Sequence, residues 1–205
     1  MIINDPSKIE ARSMELIEEE LTVPVAEEVK DIVKRVIHCT ADFDYAENLA
    51  FSSDAVAKAL AALREGCAIV TDTQMAKAGI NKKAAAALGC DIHCYMSDAD
   101  VAQIALQNGS TRAVASMDKA AALEKPTIFA IGNAPTALIR LRELIDSGKL
   151  NPVLVIGVPV GFVNILEAKE AIMSAGVPYI VAKGRKGGSN VAAAIVNALL
   201  YRLTR

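Results

Sequence analysis

The chain has no tryptophan, four phenylalanines and four tyrosines in 205 residues, so large aromatic side chains do not build its core. Ala, Val, Ile and Leu carry that weight instead, which suits close packing of helices on a sheet. There is no excess of charge: 22 basic residues face 24 acidic ones, for a formal net charge of −2. A nucleic-acid binder normally shows a basic stripe, so none is expected here. No stretch of about 18 apolar residues runs without a charge, and no membrane span is expected. The opening MIINDPSKIE lacks a basic segment followed by an apolar run, the pattern of a secretory leader. The cysteines Cys39, Cys67, Cys90 and Cys94 form no disulfide framework and no C-x-x-C pair, which points to a reducing cytoplasm.

What is present reads as a single α/β domain spanning 1–205, long enough to bury a core without covalent staples. Asp5 and Pro6 look like a cap and first helical residue, and helix formers continue to Leu21. Pro24 opens a second helix in this reading, with Val29, Ile32, Val33, Val36 and Ile37 at helical spacing. A third helix starts near Ser52 or Ser53 and stops at Gly66. Short apolar runs then alternate with helices. The runs are 67–71, 91–95, 127–131, 153–157 and 179–182; the helices include 81–88, 136–145, 164–175 and 191–203. Pro126, Pro152 and Pro178 stand at or just before strand starts, where a missing N–H costs little. VLVIG and TIFAI are apolar throughout, as strands buried on both faces are. The expectation is a three-layer α/β/α domain with N-terminal helices and a mostly parallel central sheet of about five strands.

In such a sheet ligands bind beyond the carboxyl ends of the strands, so the strand-to-helix loops are the place to look. The loop 132–136, GNAPT, offers Asn133 and Thr136 at the opening of a helix; as a motif alone it reads equally well as an ordinary turn. The loop 184–190, GRKGGSN, combines Gly184, Arg185, Lys186 and Ser189 with glycines that permit close approach to helix N–H groups, and suits an anion. Neither loop is a nucleotide fingerprint, since no G-x-G-x-x-G or G-x-x-x-x-G-K-[ST] occurs. The loop 157–163, GVPVGFV, would suit the flank of a large flat ligand, but taken alone it reads as a buried turn.

Of the two histidines, His38 falls opposite the stripe of Val29, Val33 and Val36 and therefore faces solvent, a partner or a site. His93 stands between Cys90 and Cys94. On a strand it would point away from both, so core cysteines are a better reading than a metal site.

The segments RVIHCTADFDY (35–45), GNAPTAL (132–138), GVPVGFV (157–163) and GRKGGSN (184–190) resemble the sequence blocks of the precorrin-8X methylmutase family. EARSMELI (10–17) and TDTQM (71–75) also fit, so the resemblance runs from about Glu10 to the last helix. It implies an isomerase that moves a methyl group between adjacent ring C carbons of a tetrapyrrole, giving hydrogenobyrinate, or cobyrinate when cobalt is already in the ring. It implies His38 as the residue that handles a proton and Ser13 and Arg35 as substrate contacts. A homodimer with its sites near the subunit interface follows from the same resemblance, as does the lack of a separate organic cofactor. Thr40 to Tyr45, Lys186 and Asn190 look more like the branch acting on cobalt-loaded rings.

A ring bearing many carboxylates needs several anion sites and an apolar bed. Arg35, Arg185, Lys186 and the two helix-opening loops suit the first need, and 157–163 the second. A corrinoid-binding module and a phosphate-binding enzyme using GRKGGSN are the competing readings.

Overall fold

The computed structural model describes residues 4–205; residues 1–3, which carry part of the leader reading, lie outside it. α1 (Pro6–Glu20) opens as expected: the Asp5 carboxylate accepts from the Ser7 and Lys8 amides, and Pro6 presets the first turn. α2 is Lys30–Thr40 and starts six residues after Pro24. Thr22, Val23 and Val25 around that proline are β-branched and favour extended backbone, so the helix waits for a turn at 27–29. Its stripe is as expected, with Ile32, Val33, Val36 and Ile37 buried. Ala41 ends the helix in the left-handed region at φ 53°.

A short helix α3 (Tyr45–Asn48) leads directly into β1 (Leu49–Phe51), then α4 (Ala55–Glu65), capped by Gly66 at φ 79°. Next come β2 (Ala68–Thr71), α5 (Gln74–Gly79), α6 (Lys82–Ala87), β3 (Asp91–His93), α7 (Ala99–Gln107) and α8 (Arg112–Ala121). β4 (Thr127–Ile131), α9 (Pro135–Asp146), β5 (Leu154–Gly157), α10 (Ile165–Met173), β6 (Tyr179–Ala182) and α11 (Ser189–Thr204) complete the chain.

The sheet has six strands in the order β1-β6-β5-β4-β2-β3. Five are parallel and match the five apolar runs. The sixth, β1, is the addition: it pairs antiparallel along β6, with Ala50 opposite Val181. Three residues between two helices are too few for an alternation to be read, and only the free edge of β6 makes them a strand. Within the sheet, Ile69, Ile128, Ile156 and Ile180 join one core, while Val70, Phe129, Val155 and Val181 join the other. The first core is covered by α1, α2, α4, α6 and α11, and the second by α8, α9 and α10. This is the expected three-layer arrangement. Cys67, Cys90 and Cys94 are buried thiols, as expected. No helix among the described residues is long and apolar enough to cross a membrane.

Chain order sets the location of the crevice. From β2 the chain moves outward to β3, then returns past β2 to β4 and continues outward the other way. The loops after β2 and β4 therefore leave towards opposite helix layers, which makes the carboxyl edge between them the topological switch point.

Candidate active site

Asp72, the residue after β2, fills that switch point. Its side chain is fully buried, and its carboxylate accepts from the amides of Gly132 (2.8 Å), Asn133 (2.8 Å) and Ala134 (2.6 Å) in the loop after β4. Burial pushes its pKa up, while the three N–H donors pull the other way by favouring the carboxylate. The backbone donors of the GNAPT loop are thus spent on the protein's own acid. The Asn133 side chain remains exposed, and the Thr136 hydroxyl lies 3.2 Å from that of Thr111.

The GRKGGSN loop between β6 and α11 touches four of the other blocks. Ser189 meets the Thr73 hydroxyl at 2.7 Å. Gly132 lies so close that a Cβ there would sit 2.7 Å from the Ser189 Cα and 2.8 Å from the Gly188 carbonyl oxygen. The Gly188 amide donates to Val158 at 2.8 Å, and the Gly161 amide donates to Arg185 at 3.2 Å, fastening the loop to GVPVGFV. Lys186 reaches Asp42 and Asp44 at 2.6 Å each, which ties it to the segment after His38. That contact holds the Asp42 carboxyl below its ordinary range and raises Lys186. Gly188 caps α11 without a side chain, so the cap itself places no group over the first-turn N–H donors.

α2 packs along α11 with its last turn beside the first turn of α11, where the Cys39 thiol lies 3.9 Å from the Asn190 carbonyl oxygen. A cleft of about 360 Å³ opens there, lined by Arg35, His38, Asn190, Asn197 and a floor of Gly79, Ala193 and Ala194. Gly79 makes the floor possible, because a Cβ on it would meet the Ala193 Cβ at 2.9 Å. His38 is exposed at the rim, as its helical phase requires. Arg35, one turn earlier, pairs with Glu10 at 2.8 Å and lies over the Tyr201 ring at 4.8 Å. It also lines a larger groove of about 790 Å³ between α1, α2 and α11, so it is shared by both spaces. Tyr45 stays a neutral phenol, since burial raises it to about 12.

The last turn of α2, with Arg35 and His38, therefore meets the GRKGGSN loop at Asn190, while Gly184 and Lys186 are held through their carbonyls by Lys169 of α10 in the other layer. Thr136 does not join Arg35 and His38; α9 lies in the opposite helix layer. The Ser13 hydroxyl donates to the Ile9 carbonyl of its own helix at 2.8 Å. The buried-turn reading of GVPVGFV holds only for Gly157, Val158 and Pro159. Phe162 and Val163 stand 81% and 76% exposed, with the Arg185 guanidinium 5.7 Å from the Phe162 ring centre.

Two residues escaped sequence reasoning. Asp72 gave the weak signal of an acid directly after an apolar strand. Lys169 gave a better one, because it falls on the apolar stripe of Ile165, Ala168 and Ile172, where a lysine needs a partner.

The precorrin-8X methylmutase family model matches residues 8–202. The chain is 53% identical over 175 residues to the cobalt-precorrin-8 methylmutase of Salmonella typhimurium, covering 84% of this chain and 80% of that one. It is 42% identical over an alignment of 208 residues to the cobalt-precorrin-8 methylmutase of Leptospira interrogans, covering 97% and 94%. The solved structure of precorrin-8x methyl mutase from Thermus thermophilus is similar with a TM-score of 0.87 and 37% identity, covering 96% of this chain and 97% of that one.

Proposed function

This chain belongs to the precorrin-8X methylmutase family, and from that premise we propose that it moves a methyl group between adjacent ring C carbons of cobalt-precorrin-8 or precorrin-8 in cobalamin biosynthesis. The observation that carries the reading is the cleft in which Arg35 and His38 of α2 meet Asn190 at the first turn of α11, with Lys186 tied to Asp42 in the segment after His38. His38 gives a proton to the ring system, which redistributes its π electrons and lowers the barrier to a sigmatropic methyl shift. The proton then returns to His38, so substrate and product are isomers and nothing is oxidised or reduced. A positioned acid of this kind contributes about 10²–10⁴-fold.

The periphery of the ring carries the carboxylates. Arg185, Lys186, Ser189 and the Gly184 turn receive them at the α11 end, Arg35 and Ser13 at the α1–α2 groove, and the Asn133 side chain and Thr136 beyond the switch point. The exposed face of Phe162 and Val163 supports an apolar flank for the macrocycle. Lys186 and Asn190, and relatives named for cobalt-precorrin-8, favour the cobalt-loaded ring. The cobalt is then part of the substrate, and no separate organic cofactor takes part. The protein works in the cytoplasm as a homodimer with its sites near the interface. Free cysteines suit that compartment, and sedimentation at micromolar concentration reads the dimer.

The test is incubation with precursor carrying a labelled migrating methyl, in metal-free and cobalt forms, followed by NMR. A shift of the label to the neighbouring ring C carbon is expected. Tight corrinoid binding with no migration in either form would turn the protein into a delivery module and end the enzymatic reading.

A further inference from the structure

Lys169 lies inside α10, only 1% exposed, on the stripe of Ile165, Ala168 and Ile172. Its ammonium donates to the Gly184 carbonyl oxygen at 2.7 Å and to that of Lys186 at 2.9 Å. Both acceptors belong to the GRKGGSN loop. Among the described residues no carboxylate pairs with the ammonium; burial acts on it and lowers its pKa to about 8. The arrangement is unusual for a lysine, because two neutral carbonyls are weaker compensation for a buried cation than an acid would be.

The loop is held from several sides. Lys169 draws the carbonyls of residues 184 and 186 inward. Gly187 passes so close to the Val158 carbonyl that no other residue fits without movement, and the Gly188 amide is bonded to that same carbonyl at 2.8 Å. With those carbonyls turned in, the negative ends of two peptide dipoles point away from the surface. The Arg185 side chain is exposed, and the Lys186 ammonium is taken up by Asp42 and Asp44. The buried Lys169 ammonium behind them has no acid paired to it, and low local dielectric makes its potential felt further than that of a surface charge.

We propose that Lys169 is a positioning residue for carboxylate recognition: it turns the loop's carbonyls inward and supplies an unpaired positive charge beneath Gly184 to Ser189, preparing that loop for the acidic arms of the tetrapyrrole. This rests on the functional reading above. It separates from an ordinary structural lysine because the charge, and not only the two hydrogen bonds, matters for binding. The contact with substrate carboxylate is made in ground and transition state alike, so its loss falls on KM more than on kcat.

The test uses the full chain and three variants, Lys169→Met, Lys169→Gln and Lys169→Arg, each checked by thermal unfolding. The readouts are KM and kcat for methyl migration and the Kd of cobyrinate by absorbance titration. Lys169→Gln keeps a donor but loses the charge and is expected to raise KM and Kd about tenfold, with kcat within about threefold. Lys169→Met removes both and loses more. Lys169→Arg restores affinity towards wild type. If Lys169→Met does not fold, Lys169→Gln decides the matter. Wild-type affinity in folded Lys169→Gln, or a loss confined to kcat, overturns the assignment. Wild-type protein that neither binds cobyrinate nor moves the methyl overturns the functional reading itself, a result distinct from unchanged affinity in the variants.

Discussion

The Asp72 carboxylate accepts a hydrogen bond from the Gly132 amide at 2.8 Å, across the crevice between the ends of β2 and β4. It also takes the amides of Asn133 and Ala134, so a single buried acid closes the loop after β4 around itself. Replacement by asparagine puts an NH₂ group where an acceptor is needed and leaves at least one buried amide unmatched. Asp72→Asn is expected to lose about 2–4 kcal/mol of stability. Urea denaturation checks this, and a loss below about 0.5 kcal/mol would mean the carboxyl is already neutral in the fold.

Gly132 is required by contact alone. Its hypothetical Cβ meets backbone atoms of Gly188 and Ser189, which have no flexible end to give way. Gly132→Ala should cost about 1–3 kcal/mol by overpacking. It should also raise KM, because the strain falls on the loop proposed to receive carboxylates. Paired denaturation and steady-state measurements separate the two effects. A variant as stable as wild type would show that the loops after β4 and β6 can move apart freely.

His38→Ala should retain cobyrinate affinity and fold, because the side chain is exposed and packs on nothing in the core. Single-turnover methyl migration should fall about 10²–10⁴-fold. An unchanged rate removes His38 from the proton transfer.

Glu10 makes the α1–α2 junction sensitive to acid. The Arg35 guanidinium, assisted by Arg205, holds its carboxyl below the ordinary range. A carboxyl with a lowered folded pKa stabilises the fold fully above its unfolded value, and the contribution disappears as pH falls through the folded value. The carboxylate side chain is 34% exposed, so the contribution should be no more than about 1 kcal/mol. The stability gap between wild type and Glu10→Gln should be constant from neutral pH down to about pH 5 and shrink progressively as pH falls further. Denaturation series from about pH 7 down into the acid range read this directly. A gap that does not change with pH would assign the effect to packing rather than charge.

Much of the α/β pattern was legible because it is written in local periodicity. Buried parallel strands need unbroken apolar runs, and the stripe from Ile32 to Ile37 needs helical spacing; both can be read without knowing what they touch. α5, α7 and α8 are absent from the sequence reading. In α5 and α7 much of the burial falls on small residues such as Ala76 and Ala105, which leave little contrast between faces, whereas α8 carries a clear buried stripe of Ala113, Met117 and Ala120 that local periodicity does encode. The helix expected from Pro24 begins only at Lys30, because β-branched neighbours of a proline outweigh an otherwise acceptable composition.

The sequence by itself determined the class of the domain, the five parallel strands, the exposed phase of His38 and the positions of the strand-to-helix loops, since each depends on residues close along the chain. Tertiary structure alone decided that β1 closes the edge beside β6, that Asp72 occupies the amides of the loop after β4, that Lys186 is shared with Asp42 and Asp44, and that Lys169 lies beneath its loop. Those relationships join residues up to about 140 positions apart. They arise because the strand order, the helix layers and the close approach of glycines bring distant backbone groups within hydrogen-bonding distance, and no local pattern encodes which partner a buried charge will find.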